Sequence, residues 1–334
     1  MRNPPYPTVL KPYGTALVDM ASAREEIVCL SGDLTRQCEV DLFQEKIPER
    51  FIHGGMAEAN MMSVAGALAR KGLIPFVHTF GVFATRRPYD QIVNSIAYPR
   101  LPVRIVGFMP GVSSPGGPSH QAIEDIAIMR AIPGMTVIDV ADAVQSRAAV
   151  AAIVDLPGPV YLRLKRGEIP VIFDEPHHLS LEDAQVLTEG DAVAVIACGM
   201  MIPAALAAAE VLGAAGVSVA VVNTPVLKPF PGPTVLDVAR GVRAVVTAEN
   251  HSVIGGLGSA VAETLATAGL GRPLRRVGLQ DTFAEGAKSA PHLFRKYGLS
   301  TRDIVAAAWS ALGREDPTPT VPELPVTAGE YAPV

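Results

Sequence analysis

Short apolar runs alternating with amphipathic stretches along the whole chain predict an α/β protein of two doubly wound domains. The runs are rich in Val and Ile, as strands buried in a parallel sheet are. The stretches between them have helical period and length. At 334 residues the chain has room for two domains at the usual ~100–200 residues each, and for a sizeable core in both.

In order, a strand is expected within 25–33 (EEIVCLSGD), a helix across 54–72 (GGMAEANMMSVAGALARKG) and a strand at 75–80 (PFVHTF). A helix through 89–98 and a strand at 103–108 (VRIVGF) follow, then helix 123–132, strand 135–140, helix 142–154 and strand 159–164 (PVYLRL). This set is expected to form a first domain at 1–170. Pro and acidic residues without a long periodic pattern make 171–190 an expected linker. A second domain is expected over 191–314, with strands at 191–199, 217–224 and 243–250 and helices at 203–216, 234–241, 256–269 and 301–313. Residues 315–334 are Pro-rich and aperiodic, the pattern of an extended or disordered tail that could also lie along a neighbouring subunit.

Composition excludes several classes. Net charge is −5, from 28 Lys+Arg against 33 Asp+Glu, so no basic surplus points to nucleic acid and no polybasic run to a membrane surface. No uninterrupted apolar run approaches the ~20 residues of a spanning helix, and the Pro-rich N-terminus lacks a signal-peptide core, so the expected location is cytoplasmic. Cys29, Cys38 and Cys198 have no metal-binding spacing and read as small buried hydrophobes in a reducing compartment. No metal ligand set is expected in this chain.

The chemistry-bearing segments begin with His53-Gly-Gly-Met-Ala-Glu58-Ala-Asn60. A carboxylate among small residues is costly to bury without a partner, which points to a binding role for Glu58; an exposed helix start, favoured by the dipole, is the other reading. Phe80 and Phe83, three apart after a strand in a chain with 5% aromatics, fit either a wall against a planar heterocycle or ordinary core. The Gly/Pro loop 110–121 delivers His120 beyond the carboxyl end of a strand, where open α/β sheets bind ligands, unless it is a plain connection. Arg163 and Arg166 end the strand 159–164, where a guanidinium could hold a phosphate or other anion, or simply be solvated.

The order HGGMAEANMM, HTFGVF, GGPSHQ, IEDIAIMRAIPGM, YLRLKRG, VLKPF and AENHSVIGGLGSA resembles the pyrimidine-binding and C-terminal domains of transketolases and deoxyxylulose-phosphate synthases, over residues 10–312. The resemblance implies a transketolase pyrimidine-binding-like domain followed by a smaller C-terminal-like domain. It implies thiamine diphosphate as cofactor, with Glu58 hydrogen-bonding the aminopyrimidine so that the thiazolium carbon loses its proton. Phe80 matches the aromatic stacked on that ring, Phe83 a second wall position, and Asp33 an Asp near the cofactor across the subunit boundary. His120 matches a His that contacts substrate oxygens. Arg166 matches an Arg that contacts the substrate phosphate, and Arg163 is the other candidate for that contact.

Two departures matter. The GDG segment with a later Asn, which binds Mg²⁺ and the diphosphate in this family, has no counterpart here; only Gly32-Asp33-Leu34 and Gly190-Asp191-Ala192 occur. The expectation is therefore a split transketolase: a separate subunit supplies the diphosphate domain and the Mg²⁺ ligands, in an α2β2 assembly. Second, Gly116 falls where the family carries an Asp that reads a substrate hydroxyl, which leaves the donor open. A third wall position falls on Arg86, followed by Arg87, making the rim basic.

The expected reaction is transfer of a two-carbon ketol unit from a ketose to an aldehyde. The alternative is the β subunit of a 2-oxo-acid or acetoin dehydrogenase, which lacks a GGPSHQ loop of this form. A nucleotide-binding module resting on Gly255-Gly256-Leu257-Gly258 is a third, weakened because Val261 stands where the last glycine of such a turn should be.

Overall fold

The computed structural model describes residues 1–322. The end of the expected tail, 323–334, lies outside the described residues; 315–322 carry no helix or strand.

Seven strands form the larger sheet, in the order Val226–Lys228, Thr136–Asp139, Val160–Leu164, Arg104–Phe108, Ile74–Phe80, Ile27–Ser31, Phe51–His53. All neighbours are parallel except the first pair. The central strands are buried along their whole length, the condition of a parallel sheet covered on both faces. A second sheet of five has the order Leu274–Leu279, Ala244–Ser252, Val193–Ala197, Val219–Asn223, Gln185–Thr188, with only the last strand antiparallel. Thr8–Leu10 pairs separately with Glu168–Pro170 and so brings Lys11 beside the end of strand Val160–Leu164. Both sheets have helices on their faces, as a doubly wound reading requires.

Local chemistry sets the helix starts. Asp142 caps the helix Ala143–Ile153 by accepting from the Gln145 amide at 2.7 Å, and its other oxygen takes the Ile172 and Phe173 amides at 2.8 and 2.9 Å. Ser300 and Asp303 form a capping box on Thr301–Ala311.

Several elements differ from expectation. The segment read as a linker contributes Gln185–Thr188 to the second sheet and buries Val171, Ile172 and Phe173. Helix Pro12–Ala23 and the strands Phe51–His53, Val226–Lys228 and Leu274–Leu279 went unanticipated. The strands are short or charge-bearing, which hides their period. The expected helix at 89–98 has one α turn and then widens into a π stretch, Ile92–Ala97. It packs so closely on the helix Glu58–Arg70 that a Cβ on Gly66 would sit 2.4 Å from the Ser95 carbonyl oxygen.

Candidate active site

The carboxyl ends of the larger sheet hold two groups of side chains. The first centres on Glu58, the first residue of the helix Glu58–Arg70. The two sequence readings of Glu58 merge: it starts a helix, and it is also buried, at 4% exposure. Among the described residues the one hydrogen bond to its carboxylate comes from Arg87, Nη1 to Oε1 at 2.8 Å. The Arg87 side chain is half exposed, and its guanidinium lies 4.1 Å over the Phe83 ring. Phe80, closing the strand Ile74–Phe80, is buried and stacks on Phe83 at 6.2 Å between centroids and 14° between planes. The edge contact of Phe83 with His120 is 5.3 Å at 74°. The strand end, the turn after it and the loop 110–121 thus bring Glu58, Phe80, Phe83 and His120 together, with Arg87 as an addition.

The His120 loop is held from several sides. Arg86 forms a bidentate pair with Glu124 and donates to the carbonyls of Pro118 and Gln121 at 2.8 and 2.9 Å. Instead of a third wall, this residue is a brace for the segment bearing His120. Gln121 donates to Ser114 and to Glu285, and Ala287 donates to the Pro115 carbonyl, so the loop is tied to the C-terminal half. Ser119 Oγ lies 2.9 Å from His120 Nδ1. The His120 side chain folds back over Gly116, where a Cβ would sit 2.9 Å from the His120 Cβ and 3.0 Å from Cγ. The loop in this conformation has no space for a side chain at 116.

The second group surrounds a cavity of about 380 Å³ lined by Lys11, Arg36, Gln37, Glu39 and Arg166. Asp33 is exposed at the start of the same 32–39 loop, whose Gly32 packs against the Gly55 carbonyl at the approach to Glu58. That loop connects the two groups. Glu39 is 3% exposed, and burial raises its carboxyl to about 7 against the opposing pull of the Gly14 and Tyr13 amides and Lys11. Lys11, Arg36 and Glu39 were not singled out in the sequence. Their one sequence signal is position, since they flank the strand ends that carry Asp33 and Arg166.

Arg163 stands apart. It is fully buried, with Nε and Nη2 on Asp125 at 2.8 and 3.1 Å, Nη1 on Asp139 at 2.6 Å and Nη2 on the Asn250 carbonyl at 3.2 Å. Tyr161 Oη adds a 2.6 Å bond to Asp125. A guanidinium so committed joins the two halves of the chain, and its donors go to protein groups where the sequence reading gave it to a substrate anion. The Gly255–Gly258 turn is likewise internal: the buried carboxylate of Glu249 accepts the Leu257 and Gly258 amides at 2.7 and 2.8 Å and fills the anion position at that helix start. That corrects any nucleotide reading of the turn.

A buried carboxylate linked through one arginine to two near-parallel rings offers a hydrogen-bond acceptor and apolar faces, the groups a planar heterocycle requires. Among the described residues there is no group of three or more His, Cys, Asp or Glu side chains placed to hold a metal ion, and no helix long and apolar enough to cross a membrane.

Comparison with known proteins agrees in kind. Residues 6–171 match the transketolase pyrimidine binding domain and residues 182–304 the transketolase C-terminal domain. A transketolase family protein of Sinorhizobium fredii is 44% identical over 304 residues, covering 90% of this chain and 88% of its own. The 6-deoxy-6-sulfo-D-fructose transketolase subunit SqwH of a Clostridium species is 44% identical over 305 residues, covering 91% and 94%. Among solved structures, a split gene transketolase described as an inactive β4 tetramer is 43% identical with a TM-score of 0.84, covering 92% of this chain and 98% of that one. The chain belongs to the transketolase family and carries its pyrimidine-binding and C-terminal domains.

Proposed function

We propose that this chain is the β-type subunit of a two-chain, cytoplasmic transketolase that moves a two-carbon ketol unit from a ketose to an aldehyde. The observation that carries the proposal is Glu58, buried and bonded to one half-exposed arginine, beside the Phe80 and Phe83 rings. In this reading residues 1–170 are the pyrimidine-binding domain, 171–190 the crossing segment and 191–314 the C-terminal domain.

Thiamine diphosphate, when bound, supplies the carbon nucleophile that carries the two-carbon unit. Glu58 accepts a hydrogen bond from a ring nitrogen and holds the ring in its reactive tautomer. The Phe80 and Phe83 faces fix the ring plane, and Arg87 gives Glu58 a charge partner. His120, braced by Arg86, takes and returns protons at substrate hydroxyls. Asp33 acts near the cofactor from across a subunit boundary. Arg166 holds the anionic end of the substrate. The diphosphate and its Mg²⁺ fall to a separate subunit in an α2β2 assembly.

Reconstitution with the separately encoded subunit tests this. Glu58→Gln in the complex should lower thiamine-dependent turnover by about a hundredfold or more, the usual worth of a positioned acid or base, with folding and assembly intact. Unchanged turnover removes Glu58 from the mechanism. Turnover by the isolated chain overturns the two-chain assignment, and reaction of a 2-oxo acid where every ketose fails overturns ketol transfer.

A further inference from the structure

We propose that the cavity beside Arg166 is a proton-coupled oxyanion site in which Glu39 is the specificity-determining residue. Protonated, Glu39 admits a sulfonate- or phosphate-like group between Lys11, Arg36 and Arg166; ionised, it repels that group. This deepens the reading of Arg166 as the contact for the anionic end of the substrate, and rests on it.

The first support is shape and charge. The cavity of about 380 Å³ has room for a tetrahedral oxyanion and part of its carbon chain. Neither the Arg36 nor the Arg166 side chain makes a hydrogen bond or ion pair among the described residues, whereas the Lys11 ammonium is shared with Asp41. Glu39 is the buried carboxylate in the cavity wall, and a proton on it changes the fixed charge around the cavity by one unit.

The second support is the backbone. Lys11 and Glu39 are both left-handed, with φ of 51° and 62°, although neither is glycine. Such a conformation is strained and persists where the surroundings impose it, often at ligand sites. Two of the five such non-glycine residues among those described wall this one cavity.

The third support is the environment of the carboxyl group. From the helix Pro12–Ala23 it meets the Gly14 amide at 3.0 Å, with Tyr13 and Lys11 alongside. Its own segment contributes Arg36, Cys38 and Asp41, the loop start Asp33, and the strand end opposite Arg166. Burial outweighs the two amides and Lys11, so the carboxyl is raised to about 7, within reach of ordinary cellular pH. Anion binding then draws one proton from solvent onto Glu39.

Methanesulfonate tests this, because it carries no titrating proton of its own and any pH dependence belongs to the protein. The purified chain is used, since Lys11, Arg36, Glu39 and Arg166 of this chain line the cavity. Failure here leaves ketol transfer standing, and failure of ketol transfer leaves this result standing. Calorimetric affinity at constant ionic strength should fall about tenfold between pH 6 and pH 8, as expected for a group titrating at 7. Wild-type chain should take up close to one proton per anion at pH 8, read from buffers of different ionisation enthalpy. Glu39→Gln should bind at pH 8 as tightly as wild type at pH 6, without pH dependence. Arg166→Gln should lose binding at both. A wild-type affinity independent of pH, no proton uptake, or unaltered binding by Arg166→Gln overturns the proposal. The proton count needs no variant and decides the matter if Glu39→Gln fails to fold.

Discussion

Two arginines three residues apart, Arg163 and Arg166, leave the same strand for opposite fates. Arg163 lies inside the strand Val160–Leu164, where alternation turns it toward the helix Asp125–Ala131 and the second half of the chain, and it is enclosed by Asp125, Asp139 and Asn250. Arg166 lies two residues past the strand, beyond the sheet edge, and lines the open cavity with Arg36 and Lys11. A charge satisfied within the fold serves architecture, and a charge held at the edge without a partner is available to a ligand. The difference is one of position relative to the strand end, since the residue type is the same.

The largest expected effect breaks the first of the pair. Arg163→Met leaves two buried carboxylates without their counter-charge and should destabilise the chain by about 3–5 kcal/mol in denaturant unfolding. Its counterpart Arg166→Met should stay within ~0.5 kcal/mol of wild type in the same measurement. In the reconstituted complex, Arg166→Met should instead raise KM for an anionic donor by about tenfold or more while largely sparing kcat, as loss of a hydrogen bond to a charged group implies. Equal destabilisation by both variants would erase the distinction.

Arg86 and Arg87 sharpen the comparison at smaller scale. Arg86→Met removes donors to Pro118 and Gln121, so kcat should drop severalfold through a loosened His120, with about 1 kcal/mol lost from stability. Arg87→Met should cost about 1 kcal/mol or less in thermal unfolding, because the partner of Glu58 is half exposed and solvent replaces much of it.

The strands rich in Val and Ile were legible because burial on both faces leaves no other composition open to them, and the long helices because their period survives. Phe51–His53 and Val226–Lys228 were not, being three residues each with no period to read. At the site, Glu58 was legible as a carboxylate out of place among small residues, yet its helix starts later than its neighbours suggested. The internal pairing of Arg163 was not legible because its carboxylates come from other elements, 38 and 24 residues away in sequence. Glu39 gave no signal, since its burial depends on a helix packed across it from earlier in the chain. Gly116 was legible as a departure, but that the space is filled by the folded-back His120 is a fact of three dimensions.

The short strand Val226–Lys228 reaches back from the C-terminal half and pairs antiparallel with Thr136–Asp139, at the rim of the first sheet, with Lys228 Nζ reaching the Arg130 carbonyl at 2.7 Å. Without it that rim would present unpaired amides and carbonyls, an invitation to pair with another chain. During synthesis the rim stays bare until the ribosome has added residues 226–228 and released them from its tunnel. Anyone who cuts the gene between the two sheets should therefore expect the first piece to be sticky, and should carry this strand across as a graft.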